Sequence, residues 1–168
     1  MFGMSHITAQ TAEKVKWYTI EEAQELNKKE PRKFLIDVYT DWCGWCKKMD
    51  ADTFNDPAIA KYINTNFYPV KFNAESKDPV EFSGHVIKNE GKGTRDPHPF
   101  AAALLNNKMS YPSVAYLTEK LEMIGAIPGY YTPEKIEPLL HYIVEEKYTE
   151  NITLEDYQKT FVSKLKKS

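Results

Sequence analysis

Phe34 to Met49 reads F-L-I-D-V-Y-T-D-W-C-G-W-C-K-K-M. Its first half, Phe34 to Tyr39, is apolar on both faces apart from Asp37, the pattern of a central strand buried on both sides. Its second half starts a helix at Gly44 that carries through Met49 and Asp52 and breaks near Asn55. At the joint stand Cys43 and Cys46, the only cysteines of the chain. A strand that delivers C-x-x-C to a helix N-terminus puts the first sulfur where backbone N–H groups and the helix dipole favour negative charge, which suits thiolate chemistry. The bland alternative is a pair that merely stabilises a helix start. Asp37 would cost several kcal/mol if buried charged and alone, so it calls for a raised pKa, a partner, or both.

Upstream, Lys14 to Tyr18 alternates polar and apolar residues and reads as a short edge strand. Thr19-Ile20-Glu21-Glu22 is a capping box, and the helix it opens runs to about Lys28, before Pro31. Downstream, Asp56-Pro57 offers an N-cap and a first-turn proline for a helix to about Asn64. Phe67 to Phe72 is the next strand. Val80-Glu81-Phe82 and His85-Val86-Ile87 flank Ser83-Gly84 as a small hairpin, and Asn89 to Asp96 is a loop with two glycines. The segment 74–99 thus reads as an insertion. A short apolar helix over Pro99 to Asn106 follows. Ser113 to Leu117 and Leu121 to Ile127 form a hairpin around Thr118-Glu119-Lys120. Thr132-Pro133 opens a helix with one apolar stripe of Ile136, Leu139, Leu140 and Ile143. A capped segment from Thr153, with Leu154, Tyr157, Phe161 and Leu165 at helical spacing, makes a C-terminal helical extension over 149–168. Strands and helices in this order define an α/β fold, with helices on both faces of a central sheet.

The 168 residues suffice for one domain with its own core, spanning 14–148 with the insertion. A formal net charge of −2 supplies no field to gather nucleic acid or an anionic membrane. No apolar run approaches the roughly 20 residues that span a bilayer, which leaves no stable membrane insertion. Residues 1–13 read either as a disordered N-terminus or as the remnant of a signal peptide around Ile7-Thr8-Ala9. His85 and His98 could complete a two-Cys, two-His zinc set, but they lack the short H-x₃₋₅-H spacing, so no metal is expected. Gly91-Lys92-Gly93-Thr94 lacks the full phosphate-loop pattern and reads as a flexible loop.

Trp42-Cys43-Gly44-Trp45-Cys46-Lys47 resembles the W-C-x-x-C-K active site of the thioredoxin superfamily. Asp37 falls where that family keeps a buried aspartate, six residues before the first cysteine. Tyr111-Pro112-Ser113 resembles its cis-proline segment, and Gly129 a further recurrent position. The likeness covers about Lys33 to Val144. The D-W-C-x-x-C-K run followed by T-F-N-D-P is similar to thioredoxin-like domains associated with transmembrane thiol:disulfide interchange reductases.

The resemblance implies a central mixed sheet and a thiol:disulfide oxidoreductase. Cys43 would attack a client disulfide and Cys46 would resolve the mixed disulfide. Asp37, with Lys71 beside it, would accept the Cys46 proton through water; the alternative is a paired buried residue with a structural job only. A cis Pro112 would turn the Tyr111 backbone toward the cysteines to pair with an extended client, whereas a trans proline would only start a strand. Trp45, in the exposed turn, is expected to form a docking rim, and Trp42 to make core contact. The dithiol is itself the redox group, so no cofactor is needed. The implied partners are a disulfide-bearing client and a thiol redox donor, acting on a monomer. An extracytoplasmic, periplasmic location follows from the resemblance, with a cytoplasmic one as the alternative. Because Gly44-Trp45 replaces the usual Gly-Pro, reductant, isomerase and oxidant all stay open. So does a binding or chaperone-like module with a redox switch.

Overall fold

The computed structural model describes residues 12–165. Helix α1 (Ile20–Lys29) starts at the Thr19–Glu22 capping box: the Thr19 N–H donates to Glu22 Oε2 at 2.9 Å and the Glu22 N–H to Thr19 Oγ1 at 3.1 Å. Two otherwise orphaned donors are satisfied at once. Thr19→Ala should therefore cost about 1 kcal/mol, read as a lower urea midpoint at unchanged m-value.

Strand β1 (Lys33–Tyr39) is an inner strand of a four-stranded sheet. Strand β2 (Phe67–Asn73) runs parallel to it on one side, whereas β5 (Ser113–Leu117) and β6 (Met123–Pro128) are antiparallel additions on the other, giving the order β2-β1-β5-β6. A parallel pair requires a crossover. Here that crossover is helix α2 (Gly44–Met49), a π-helical turn (Asp50–Phe54) and helix α3 (Pro57–Asn66), capped by Asp56 through the Ala58 and Ile59 N–H groups.

The period-2 alternation of β1 divides the core into two layers. Phe34, Ile36 and Val38 pack with residues of α1 and helix α4 (Pro99–Leu104) on one face. Leu35 packs on the other with α3 and helix α5 (Pro133–Val144). Asp37 shares the Leu35 face, so the strand's one carboxylate points toward the crossover that carries the cysteines.

The insertion forms the hairpin β3 (Val80–Phe82) and β4 (His85–Ile87), docked on α1 through Gln24 and Glu21. Its neck closes where the His98 N–H donates to the Ala74 carbonyl at 2.7 Å. His98 is buried and caps α4: Nδ1 accepts from the Phe100 N–H at 3.0 Å, leaving Nε2–H to face the Asp78 carbonyl at 3.1 Å. Both ring nitrogens are engaged in structure, and burial pushes the imidazole below its ordinary pKa.

Several sequence expectations need correction. Lys14 to Tyr18 is no strand: only Tyr18 bridges to β2, opposite Val70. The last strand begins at Met123 rather than Leu121, because Leu121 takes a left-handed backbone (φ 64°) that closes the turn. Helix α6 (Leu154–Thr160) ends before Phe161, whose extended backbone leads into a tail held on Glu137 by Ser163 and Lys164. Of residues 1–13, which the disordered or signal-remnant reading covers, 1–11 lie outside the described residues.

Candidate active site

Cys43 is the N-cap of α2, and its sulfur accepts the Cys46 N–H at 3.1 Å. The cap position that Ser or Asp often fills is held by sulfur, at which the Cys46 N–H of the first turn is aimed. Cys43 and Cys46 are joined as a disulfide, with Cα atoms 5.3 Å apart. Both are buried, and the Cys43 N–H donates to the carbonyl of buried Thr40 at 3.3 Å.

Asp37, on the face of β1 turned to the crossover, is 2% exposed. Lys71, its register partner on β2, donates to Asp37 Oδ2 at 2.7 Å and also pairs with Asp50. Asp37 Oδ1 is buried with no hydrogen-bond partner. Burial pushes the Asp37 carboxyl up to about 6 despite the opposing pull of the Lys71 ammonium. Burial would depress Lys71, but Asp37 and Asp50 outweigh it and raise that ammonium's pKa. The rings of Trp17, Tyr39 and Phe54 enclose the ammonium at 5.0, 5.1 and 5.9 Å, favourable cation–π distances. The result is a buried carboxylate that titrates near neutrality beside a cation that stays charged.

The rim is aromatic. Tyr111–Pro112 is a cis peptide, and the Pro112 carbonyl accepts the N–H of Gly129 at 2.8 Å. Gly129 sits at φ 103°, which suits glycine rather than a residue with a Cβ. Tyr111 meets Trp42 edge-on at 6.0 Å, and Trp45 meets Tyr130 at 5.3 Å. Trp45 is 59% exposed, as its place in the turn implies. Trp42 does not make the expected core contact: it is 53% exposed. Its indole N–H needs a partner, which it finds at the surface in Glu75 Oε1 at 2.9 Å, and Arg95 of the insertion lies over its ring.

The sequence-derived residues thus fall into two groups. Cys43 and Cys46 stand at the start of α2 and Asp37 and Lys71 pair across β1 and β2, while Trp42, Trp45, Tyr111 and Pro112 belong to the rim. Four contributors were missed: Asp50, Glu75, Tyr130 and Arg95. Asp50 is four residues after Cys46 and shares its helix face, a spacing that could have found it. Tyr130 and Arg95 reach the rim only through tertiary contacts. A cavity of about 970 Å³ between α1, the hairpin and the β5–β6 turn contains none of these residues. Among the described residues no cluster of three or more His, Cys, Asp or Glu could hold a metal ion.

A four-stranded mixed sheet with helices on both faces, a C-x-x-C at a helix start and a cis-proline loop across from it define a thioredoxin-fold disulfide protein. Residues 20–144 match the thioredoxin-like domain family, and the chain belongs to it. One relative is the thiol:disulfide interchange protein DsbD of Shigella boydii, 36% identical over 90 residues; the match covers 51% of this chain and 16% of DsbD. The chain therefore corresponds to a small part of that relative. Among solved structures, the DsbH oxidoreductase superposes with a TM-score of 0.55 over 96% of both chains at 13% identity. A thioredoxin-fold protein from Helicobacter pylori reaches 0.60 over 77% of this chain and 79% of its own, at 20% identity. At those identities the structural likeness speaks to the fold.

Proposed function

We propose that the protein is a thiol:disulfide oxidoreductase that reduces disulfides in client proteins. The observation that carries this reading is Cys43 standing as the sulfur cap of α2, disulfide-linked to Cys46. In the reduced enzyme, the Cys43 thiolate attacks one sulfur of the client disulfide. A Cys43–client S–S bond forms and the client's other sulfur leaves as thiolate. Cys46 passes its proton to Asp37 through water and attacks the Cys43 sulfur, which forms the Cys43–Cys46 disulfide and frees the second client thiol. Two electrons have moved from enzyme to client, and an external dithiol must restore the enzyme.

Asp37 suits the acceptor role because its carboxyl titrates close to the pH at which the proton must move. Lys71 keeps that carboxylate available, and Tyr111 offers main-chain hydrogen bonds to an extended client. The kinship with a thiol:disulfide interchange protein supports exchange between thiol and disulfide partners; a reductive direction, a thiol donor protein upstream and an extracytoplasmic compartment are part of the same proposal. Among the described residues no helix is long and apolar enough to cross a membrane.

Insulin reduction with dithiothreitol as donor tests the activity: wild type should speed precipitation of the insulin B chain, and Cys43→Ser should not. Equal rates for the two proteins would reject the reading. The direction is tested by equilibrating the couple against glutathione. A reductant should sit at about −270 mV, and a value of about −120 mV would make it an oxidant.

A further inference from the structure

We propose that Arg95 of the insertion forms a charge-reading subsite beside the cysteines, which selects client segments carrying a carboxylate next to the reactive cysteine. This rests on the disulfide-exchange function proposed above. The insertion begins and ends at the active-site tryptophan. Its neck is closed by the hydrogen bond from the His98 N–H to the Ala74 carbonyl, and residues near both ends of it, Glu75 and Arg95, meet the same ring. Glu75 takes the Trp42 indole N–H, and the Arg95 guanidinium lies 5.3 Å from the Trp42 ring centroid.

Trp42 and Tyr111 form one wall of a cavity of about 390 Å³, with Glu75, Arg95, Pro97 and Met109 around the rest. Small-ligand sites start at about 300 Å³, so this space accepts side chains rather than a folded partner. It adjoins both Cys43, through Trp42, and the backbone of Tyr111. A client extended along Tyr111 with its cysteine at Cys43 therefore presents a neighbouring side chain to this cavity.

The charges in the cavity are unequal in availability. The Glu75 carboxylate already accepts the Trp42 indole N–H. Arg95 is exposed and, among the described residues, forms no salt bridge or side-chain hydrogen bond, which leaves its five donors uncommitted. The cation–π contact holds the guanidinium beside the indole ring, and a guanidinium there can take a carboxylate in a bidentate pair. The chain's net charge is −2, so this preference is local rather than a general attraction for acidic clients.

The test uses three peptide disulfides that differ only in the residue beside the cysteine, Glu, Gln or Lys, with dithiothreitol as donor. Wild type should favour the Glu over the Lys peptide in kcat/KM by about tenfold at low salt, within the range of a charge-assisted hydrogen bond. The ratio should shrink toward one at high salt, approach one in Arg95→Ala, and invert in Arg95→Glu. Equal rates for all three peptides with wild type, a preference for the Lys peptide, or an unaltered order in Arg95→Glu would overturn the subsite. If no peptide is reduced by any variant, the oxidoreductase reading itself has failed. Binding of the same peptides with serine in place of cysteine, followed by tryptophan fluorescence, then still decides the charge preference.

Discussion

Asp37→Asn is expected to make the protein more stable at pH 7 and to slow release of the mixed disulfide. The folded-state carboxyl titrates at about 6, raised by burial above the ordinary value near 3.8. A raised pKa means the folded chain holds the proton more tightly than the unfolded one. The resulting stabilisation is complete below about pH 4 and is lost as pH rises through 6. At pH 7 wild type keeps a buried carboxylate with one oxygen unpaired, a penalty of up to about 3 kcal/mol. Asparagine never ionises and leaves Lys71 paired with Asp50. The stability difference in favour of the variant should therefore grow between pH 4 and pH 7, as measured by urea unfolding at both. A variant less stable at pH 7 would mean the Lys71–Asp37 pair outweighs the cost of burial.

The kinetic half has the opposite sign. Wild-type resolution should speed up as pH rises through 6 and the acceptor ionises, whereas the asparagine of the variant cannot take the proton. Loss of a positioned base costs on the order of a hundredfold or more, seen as a slower release step in stopped-flow fluorescence. Unchanged turnover across pH 6 to 9 would reduce Asp37 to a structural residue.

Cys46→Ser is expected to arrest the reaction halfway. Cys43 keeps the donation from the Cys46 position, since a serine there still supplies the backbone N–H that bonds its sulfur. Attack on the client should therefore proceed, and the Cys43–client bond should persist because the intramolecular thiol is gone. Resolution then depends on external thiol and should slow by on the order of 10³ or more, given the effective molarities of well-placed groups. Non-reducing gels should show a client adduct that Cys43→Ser never forms. An adduct on Cys43→Ser instead would invert the two roles.

The centre of the site was legible because each part was local or set by register. Phe34 to Tyr39 could only be a buried strand, its one carboxylate had to find a cation, and Lys71 sits directly opposite on β2. The rim was not legible. Whether Trp42 lies in or out depends on a carboxylate and a guanidinium that enter through the insertion, and only the neck at Ala74 and His98 brings them there. Tyr130 likewise reaches Trp45 across a distance no local pattern records. Alternation over Lys14 to Tyr18 misled because a period-2 pattern also suits a segment that touches an edge at a single bridge. Leu121 broke its strand early because a left-handed turn residue need not be glycine or asparagine.

The most direct measurement is electron stoichiometry: fully reduced protein mixed with excess peptide disulfide in the absence of any other thiol, followed by mass spectrometry of both. The expected result is one peptide disulfide reduced per chain, with Cys43 and Cys46 recovered as an intramolecular disulfide. Recovery of both cysteines as free thiols, with the peptide still oxidised, would contradict the oxidoreductase function.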